Sequence, residues 1–351
     1  MNGSEAQQQT PDPGSAEFVL RCVYRSGSGQ IHLDWPRERV PDALRDGEGS
    51  LWIDIVNPDN AHTTEVESLF RDDFGFHPLS IEDALNESNV PKIDEWETYL
   101  YIVFHAIDFD PQTDQVRLHE LDAFLGRNYL VTYHTRPLAL VDRVWRLIRR
   151  DSENRLRRRP DHVLYLLLDA GVSDHLNAIE HLDEAVDAIL DSTMDHPTPA
   201  TLQQIYAIKR TVAQVYRVII PQREVANRLS RDDYPQVGAR DRVYFRDVYD
   251  SLVRLHDLTE AIRDLVTGAI DTYLSVSANR TNDIMKTLTI VTVLFLPLNF
   301  IVGFFGMNFF GDNIVLGRGL LGHTLLFLAA CGLMLAGSLG IWFWGKHRRW
   351  F

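Results

Sequence analysis

LTIVTVLFLPLNFIVGFF, Leu288 to Phe305, is a run of 18 residues without a single charge, and the chain that leads into it decides the fold. No proline or other strong breaker interrupts the sequence between Val243 and Pro297. Apolar residues recur at Val248, Leu252, Leu255, Leu258, Ile262, Leu265, Ala269, Tyr273 and Val276. Steps of three and four mark one face of an α-helix. A single helix over residues 243–305 would extend roughly 90 Å at 1.5 Å per residue. That is longer than the interior of a globular domain accommodates. The pattern predicts a stalk helix that runs on into a membrane as a first span.

A second run, TLLFLAACGLMLAGSLGIWFW from Thr324 to Trp344, holds 21 residues without charge. Either run crosses a hydrocarbon core of roughly 30 Å as a helix. Two buried core helices would be the alternative. The closeness of the runs and the polar clusters that end them favour spans. Trp342, Trp344 and Trp350 have the character of an interfacial belt. Lys346-His347-Arg348-Arg349 follows the second span, whereas the connecting loop carries only Arg318 and Asp312. Positive charge stays on the cytoplasmic side, so the C-terminus is expected there, and two spans return the N-terminal part to the same side. The predicted location is the inner membrane, with both termini cytoplasmic.

Within the first span, Asn282, Met285, Thr289, Thr292, Leu296, Asn299 and Gly303 follow one another in steps of three or four. They form a stripe of polar, small and flexible side chains. Such a stripe can pack helices together through small residues and hydrogen bonds, or it can line a pore in which polar rings alternate with apolar constrictions. The pore reading requires several copies, because one helix encloses nothing. No carboxylate lies between Lys286 and Phe305. Magnesium gives up its water reluctantly, so neutral amides and backbone carbonyls suit a hydrated ion.

The remaining chain reads as soluble. The whole chain has 351 residues, 24% of them charged, with a formal net charge of -14. That balance argues against non-specific nucleic-acid binding, which needs a basic face. Cys22 and Cys331 are the two cysteines, and they suggest no disulfide framework or cysteine zinc site. Residues 1–17 read as a disordered tail without the apolar core of a signal peptide. Residues 18–137 read as an α/β domain, with strands at Phe18–Arg25, Gln30–Trp35, Ser50–Ile55, Tyr99–Phe109 and Asp122–His134 and helices at His62–Phe74 and Leu79–Asn86. Residues 138–242 read as a helical hairpin region, with helices at Leu138–Asn154, Asp161–Ser192 and Thr201–Ser230. No P-loop, His-Glu-x-x-His, Gly-x-Ser-x-Gly or dinucleotide fingerprint occurs, so neither an enzyme nor an organic cofactor is expected.

Gly306-Met307-Asn308 stands at the outer end of the first span. Tyr244-Phe245-Arg246-Asp247-Val248-Tyr249-Asp250 lies on the stalk, Glu82-Asp83-Ala84-Leu85-Asn86 and Pro91-Lys92 lie upstream, and NRTNDIMK occupies Asn279–Lys286. Together these segments resemble the CorA family of magnesium and divalent-cation transporters over nearly the whole chain beyond its tail. The resemblance implies an α+β membrane protein forming a funnel-shaped homopentamer. An N-terminal α/β cytoplasmic domain would lead into a stalk and first span (243–305), an external loop (306–322), a second span (323–345) and a basic cytoplasmic end (346–351).

It further implies that Asn308, with Met307 and the Gly306 carbonyls, forms the selectivity ring, and that Asn282, Met285, Leu288, Leu296 and Asn299 line the pore, with Thr292 and Gly303 on the same stripe. Regulatory Mg2+ would bind between subunits, at Asp83 with Asp247 and at Glu82 with Asp169. Asp271 would sit on the stalk near the inner end of the pore. Many relatives follow the tripeptide with an acidic residue; here Phe309-Phe310-Gly311 intervene before Asp312. The implied cargo is Mg2+, with Co2+ and Ni2+ also able to pass. The zinc-transporting branch of the family and a non-conducting, membrane-anchored metal sensor are the alternatives.

Overall fold

The computed structural model describes residues 18–87, 90–110, 113, 115–150, 159–195, 197–306 and 320–347. Gly306 is thus the last described residue of its helix, and Met307, Asn308 and Asp312 lie outside the described residues. The chain divides into two units, residues 1–270 and 271–351.

The first unit is built on one seven-stranded sheet, made of β1 (Val19–Arg25), β2 (Ile31–Leu33), β3 (Ser50–Val56), β4 (Lys92–Glu95), β5 (Leu100–Asp110), β6 (Gln115–Leu125) and β7 (Tyr129–His134). The strand order is β2-β1-β3-β7-β6-β5-β4. β3 and β7 pair in parallel, and every other neighbouring pair is antiparallel. β3 is buried along its whole length, which is why Ser50–Val56 reads as a nearly continuous apolar run rather than an alternation.

Helices cover both faces. On one side lie α1 (Val40–Arg45), α2 (Thr63–Ser68, continued by a π turn over Leu69–Asp73) and α3 (Pro78–Asn86). Their Val40, Val66, Phe70, Ile81 and Ala84 join Ile53, Tyr101, Phe124 and Tyr133 of the sheet in one core. The Phe76 ring stacks on Phe124 at 4.2 Å between centroids. On the other side lie α4 (Ala139–Arg150), α5 (Pro160–Asp195) and α6 (Pro199–Arg231). Trp145 of α4 meets Trp52 at 4.8 Å. Gly171 lets α5 press directly onto the sheet, because a Cβ there would fall 2.4 Å from the Phe104 ring. Thr198 starts α6 with a reciprocal capping box to Thr201, and Pro199 occupies the first turn.

The structure divides the predicted strand Asp122–His134 in two. Gly126 N donates to Tyr129 O at 2.9 Å, closing a hairpin turn. The Tyr129 ring folds back over Gly126, where a Cβ would come within 2.2 Å of it. Asn128 holds the turn from outside by donating to the carbonyls of Leu44 and Asp46. Alternation of apolar residues continues through this turn, so a period-two reading passes over it. The short edge strand β4 and helix α1 escape the same reading, being too brief to carry a period.

Charged groups are buried where they are paired. Asp54 on β3 is completely buried and accepts from Arg21 Nε at 2.8 Å and Thr132 Oγ1 at 2.5 Å. His134 Nε2 stands 3.2 Å from the same carboxylate. Burial alone would raise the Asp54 carboxyl, but the charges of His134 and Arg21 outweigh it and hold the group below its ordinary range.

Two further histidines are buried: His175, and His105, whose Nε2 lies 3.7 Å from Glu120. Burial holds His105 of β5 and His175 of α5 down at about 4 each. Among the described residues, His105 Nδ1 and His175 Nε2 have no hydrogen-bond partner. The unfolded chain takes up these protons near the ordinary value of about 6.5, whereas the folded chain does not until near 4. Stability is therefore lost as pH falls through this window, by about 2 kcal/mol for each histidine at about pH 5. Melting curves at neutral and mildly acidic pH should show the loss, and His175→Gln should flatten it. An unchanged pH slope in that variant would remove His175 from the account.

Helix α7 spans Arg242–Gly306, 65 residues. Up to Ile270 it belongs to the first unit and buries Phe245, Val248, Leu252, Leu255, Ile262, Val266 and Ala269. Leu258 and Leu265, on the apolar series read from the sequence, remain exposed in the single chain. The second unit contains the rest of α7 and helix α8 (Leu320–His347).

Candidate functional site

The stripe lies on the far half of α7. Asn282, Met285, Leu288, Thr289, Thr292, Leu296, Asn299 and Gly303 are all exposed in one chain. The surrounding segment is long and apolar enough to cross a membrane, and none of its apolar window is buried. Leu288, Leu296 and Phe300 are each more than half exposed, a state that water alone does not favour.

The hydroxyls on the stripe are already committed on one side. Thr289 Oγ1 donates to Met285 O at 2.7 Å, and Thr292 Oγ1 donates to Leu288 O at 2.8 Å. Spending the proton on the backbone leaves the oxygen lone pairs facing outward. A hydrated cation presents water hydrogens, so a surface of acceptors matches it. The Asn282 and Asn299 amides add carbonyl oxygens to the same face. Lys286 pairs with Asp283 at 3.6 Å at the near end of the segment. Pro297 sits inside the helix without ending it. Its missing N–H frees a carbonyl one turn back, at Val293.

The four acids come from three elements. Glu82 and Asp83 lie on α3, Asp169 on α5 and Asp247 on α7. No hydrogen bond or ion pair joins Asp83 to Asp247, or Glu82 to Asp169, within the described residues of the chain. Instead, Asp83 Oδ2 accepts from Lys92 Nζ at 2.5 Å, and Lys92 also reaches Asp94 at 2.9 Å. Burial works against the Lys92 ammonium, but its bonds to Asp83 and Asp94 win and hold it above its ordinary value. Glu82 is exposed. Lys92 was named in the sequence only as part of Pro91-Lys92; its pairing depends on β4 folding back beside α3.

Asp169 and Asp247 do approach each other. Burial raises the Asp169 carboxyl, and the negative charge of Asp247 raises it further. The alignment is set one turn earlier on each helix, where Tyr165 packs on Tyr244 at 4.9 Å and stands edge-on to Phe245. Neither carboxylate forms an ion pair among the described residues, and a divalent ion would relieve the repulsion between them. No group of three or more His, Cys, Asp or Glu side chains able to hold a metal is gathered within the described residues. A fully coordinated divalent ion at Asp169 and Asp247 would complete its shell with water or with ligands from a second copy. Asp271, the first residue of the second unit, is exposed on α7.

Comparison with known proteins places this geometry in context. The family model described as CorA-like Mg2+ transporter protein matches residues 47–347. The cobalt/magnesium transport protein CorA of Thermotoga maritima is 34% identical over 266 residues, covering 76% of this chain and 75% of that protein. The zinc transport protein ZntB of Yersinia enterocolitica is 25% identical over 317 residues, covering 88% of this chain and 90% of that protein. Among solved structures, the complete CorA magnesium transporter of Methanocaldococcus jannaschii superposes with a TM-score of 0.74 at 21% identity, over 94% of this chain and 98% of that one.

Proposed function

The chain belongs to the CorA-like Mg2+ transporter family and is a divalent-cation transporter rather than an enzyme, and from this premise we propose that it works as a homopentameric channel for hydrated Mg2+ in the inner membrane. The observation that carries the reading is the charge-free stripe of α7. Its threonine and asparagine oxygens are acceptors facing outward on a segment able to cross a membrane. Five such helices would enclose a path whose walls meet the ion's water shell, with α8 as the outer span and both termini cytoplasmic. Gly306, Met307 and Asn308 would form the selectivity ring at its outer mouth. Entry is driven by the membrane potential, which favours a divalent ion by about 4.6 kcal/mol across about 100 mV.

Closure follows from the acids. Mg2+ bound at Asp169 and Asp247, with Asp83 and Glu82 supplied by a neighbouring subunit, would bridge carboxylates that otherwise repel. It would thereby favour the closed arrangement in proportion to its preference for that state. Asp83 enters this scheme only by exchanging Lys92 for the metal, so Lys92 sets the Mg2+ concentration at which closure occurs. Asp247→Ala should leave conduction intact and abolish closure by internal Mg2+ in patch recordings. Retained closure would reassign the sensor.

Uptake into proteoliposomes, with Co2+, Ni2+ and Zn2+ as competitors, tests the cargo. Preferential Zn2+ uptake would favour the second reading, which the similarity to the Yersinia zinc transporter supports. Absence of any flux from well-formed oligomers would instead favour a sensor without conduction.

A further inference from the structure

An open cleft of about 840 Å³ is sunk into the first unit, with none of the four acids in its lining. Its wall is made by Asn60 after β3, Asn86 at the end of α3, Arg117 and His119 on β6, Arg136 after β7 and Gln214 on α6. This volume is within the range that receives small organic ligands. The chain carries a net -14, whereas the cleft lining sets two arginines, Arg117 and Arg136, against two acids. Arg136 is exposed and forms no ion pair among the described residues. Among the described residues Arg117 reaches only Asp108, at 3.8 Å, and both side chains are well exposed. Arg210 and Arg217 stand four residues before and three residues after Gln214, so they share its face of α6. Both are exposed, and neither has a carboxylate partner among the described residues.

Two acids line the same cleft, Asp59 and Glu87. The Glu87 carboxylate accepts from Thr135 Oγ1 at 2.8 Å, which turns part of its charge to the wall. Burial lowers the His119 imidazole, and the nearby Arg136 and Arg117 lower it further against the pull of Asp108 and Glu87. The backbone is also unusual here. Of the four described non-glycine residues with positive φ, three line this cleft: Asp59 at 51°, Asn60 at 55° and Glu87 at 50°. Such conformations persist only where the surroundings over-determine them. Asn60 is held by the Tyr133 hydroxyl at 2.6 Å and by its own bond to Leu85 O at 3.2 Å.

We propose that this cleft binds a soluble phosphate-bearing anion of the di- or triphosphate class, held by Arg117 and Arg136. Guanidinium groups match phosphate oxygens two at a time and remain charged at any physiological pH. Asn60, Asn86 and Gln214 offer both donors and acceptors to the group that bears the phosphates. The concave shape suits a small soluble anion better than a flat lipid surface. The inference does not depend on ion conduction.

Isothermal titration of the full-length protein in detergent with inorganic pyrophosphate and tripolyphosphate, at fixed ionic strength and with divalent ions removed, tests it. Saturable binding of one anion per chain is expected. Arg136→Glu and Arg117→Glu should each weaken it at least about tenfold, equivalent to about 1.4 kcal/mol. Lys209→Glu, an exposed change on α6 outside the cleft, should leave binding unchanged. Melting curves without anion would establish that each variant is folded. Absence of binding, or equal weakening by Lys209→Glu, would overturn the proposal. So would binding of short-chain phosphatidylglycerol, lost in Arg136→Glu, where pyrophosphate does not bind.

Discussion

Asn308→Ala is expected to reduce Mg2+ uptake by reconstituted protein at least about tenfold. The path proposed along α7 has no carboxylate between Lys286 and Phe305, so no strong charge is available to strip water from the ion. Selection then rests on hydrogen bonds from neutral acceptors to the water shell. A neutral hydrogen bond is worth a net 0.5–1.5 kcal/mol or so, and a five-fold ring loses five of them at once. Even the lower bound sums to about 2.5 kcal/mol, more than the 1.36 kcal/mol or so that a factor of ten in rate requires. With Phe309, Phe310 and Gly311 following the tripeptide, Asp312 is the only acid in the loop. The amide ring therefore has little electrostatic help, and its removal should be felt fully. Flux from proteoliposomes with matched protein content measures the effect. Unchanged uptake would sink the assignment of Asn308. Asn308→Asp is an informative companion, because a charged ring should hold the ion more tightly and slow its release.

Asp54→Ala is expected to destabilise the first unit by about 3–5 kcal/mol, the usual cost of breaking a buried charged pair. Arg21 would keep its second partner, Asp142, at 2.8 Å. His134, whose side chain is only 1% exposed, would lose the carboxylate that lies 3.2 Å from its Nε2. Thr132 Oγ1 would lose its 2.5 Å acceptor, and through it the support of Trp52, whose Nε1 donates to that hydroxyl at 3.1 Å. For a unit of this size the expected fall in melting temperature is on the order of 10 °C. Asp54→Asn should lose less, since the amide oxygen still accepts. A fall of only about 1 °C in Asp54→Ala would show that the cluster relaxes without its anion.

The pH dependence carries the same signature. Because the folded Asp54 carboxyl titrates below its ordinary range, its contribution is present above the unfolded value near 4 and disappears as pH falls through the lower, folded one. Acid therefore acts in two stages, first on His105 and His175 and then on Asp54.

The features legible in the sequence are those that contiguous residues carry. An uncharged run of membrane length, the steps of three and four that lead into it, and the polar stripe on one helical face are properties of a local segment, because a helix places residues three and four apart side by side whatever surrounds it. Gly306-Met307-Asn308 at the end of such a run, taken together with Glu82–Asn86, Pro91-Lys92, Tyr244–Asp250 and Asn279–Lys286, pointed to the family that the match over residues 47–347 shows.

Tertiary structure alone decided the rest. It closed a hairpin at Gly126 inside what reads as one strand. It also gave Asp83 to Lys92, brought Asp169 of α5 beside Asp247 of α7, and gathered Arg117, Arg136 and the Gln214 face of α6 around one cleft. Except for Asp83 and Lys92, which are nine residues apart, these groups are distant in the chain, and their meeting depends on how aromatic and aliphatic faces pack. Charge pairing follows that packing because Coulomb interactions matter most at a few ångströms and out of water, a condition that no local pattern of residues specifies.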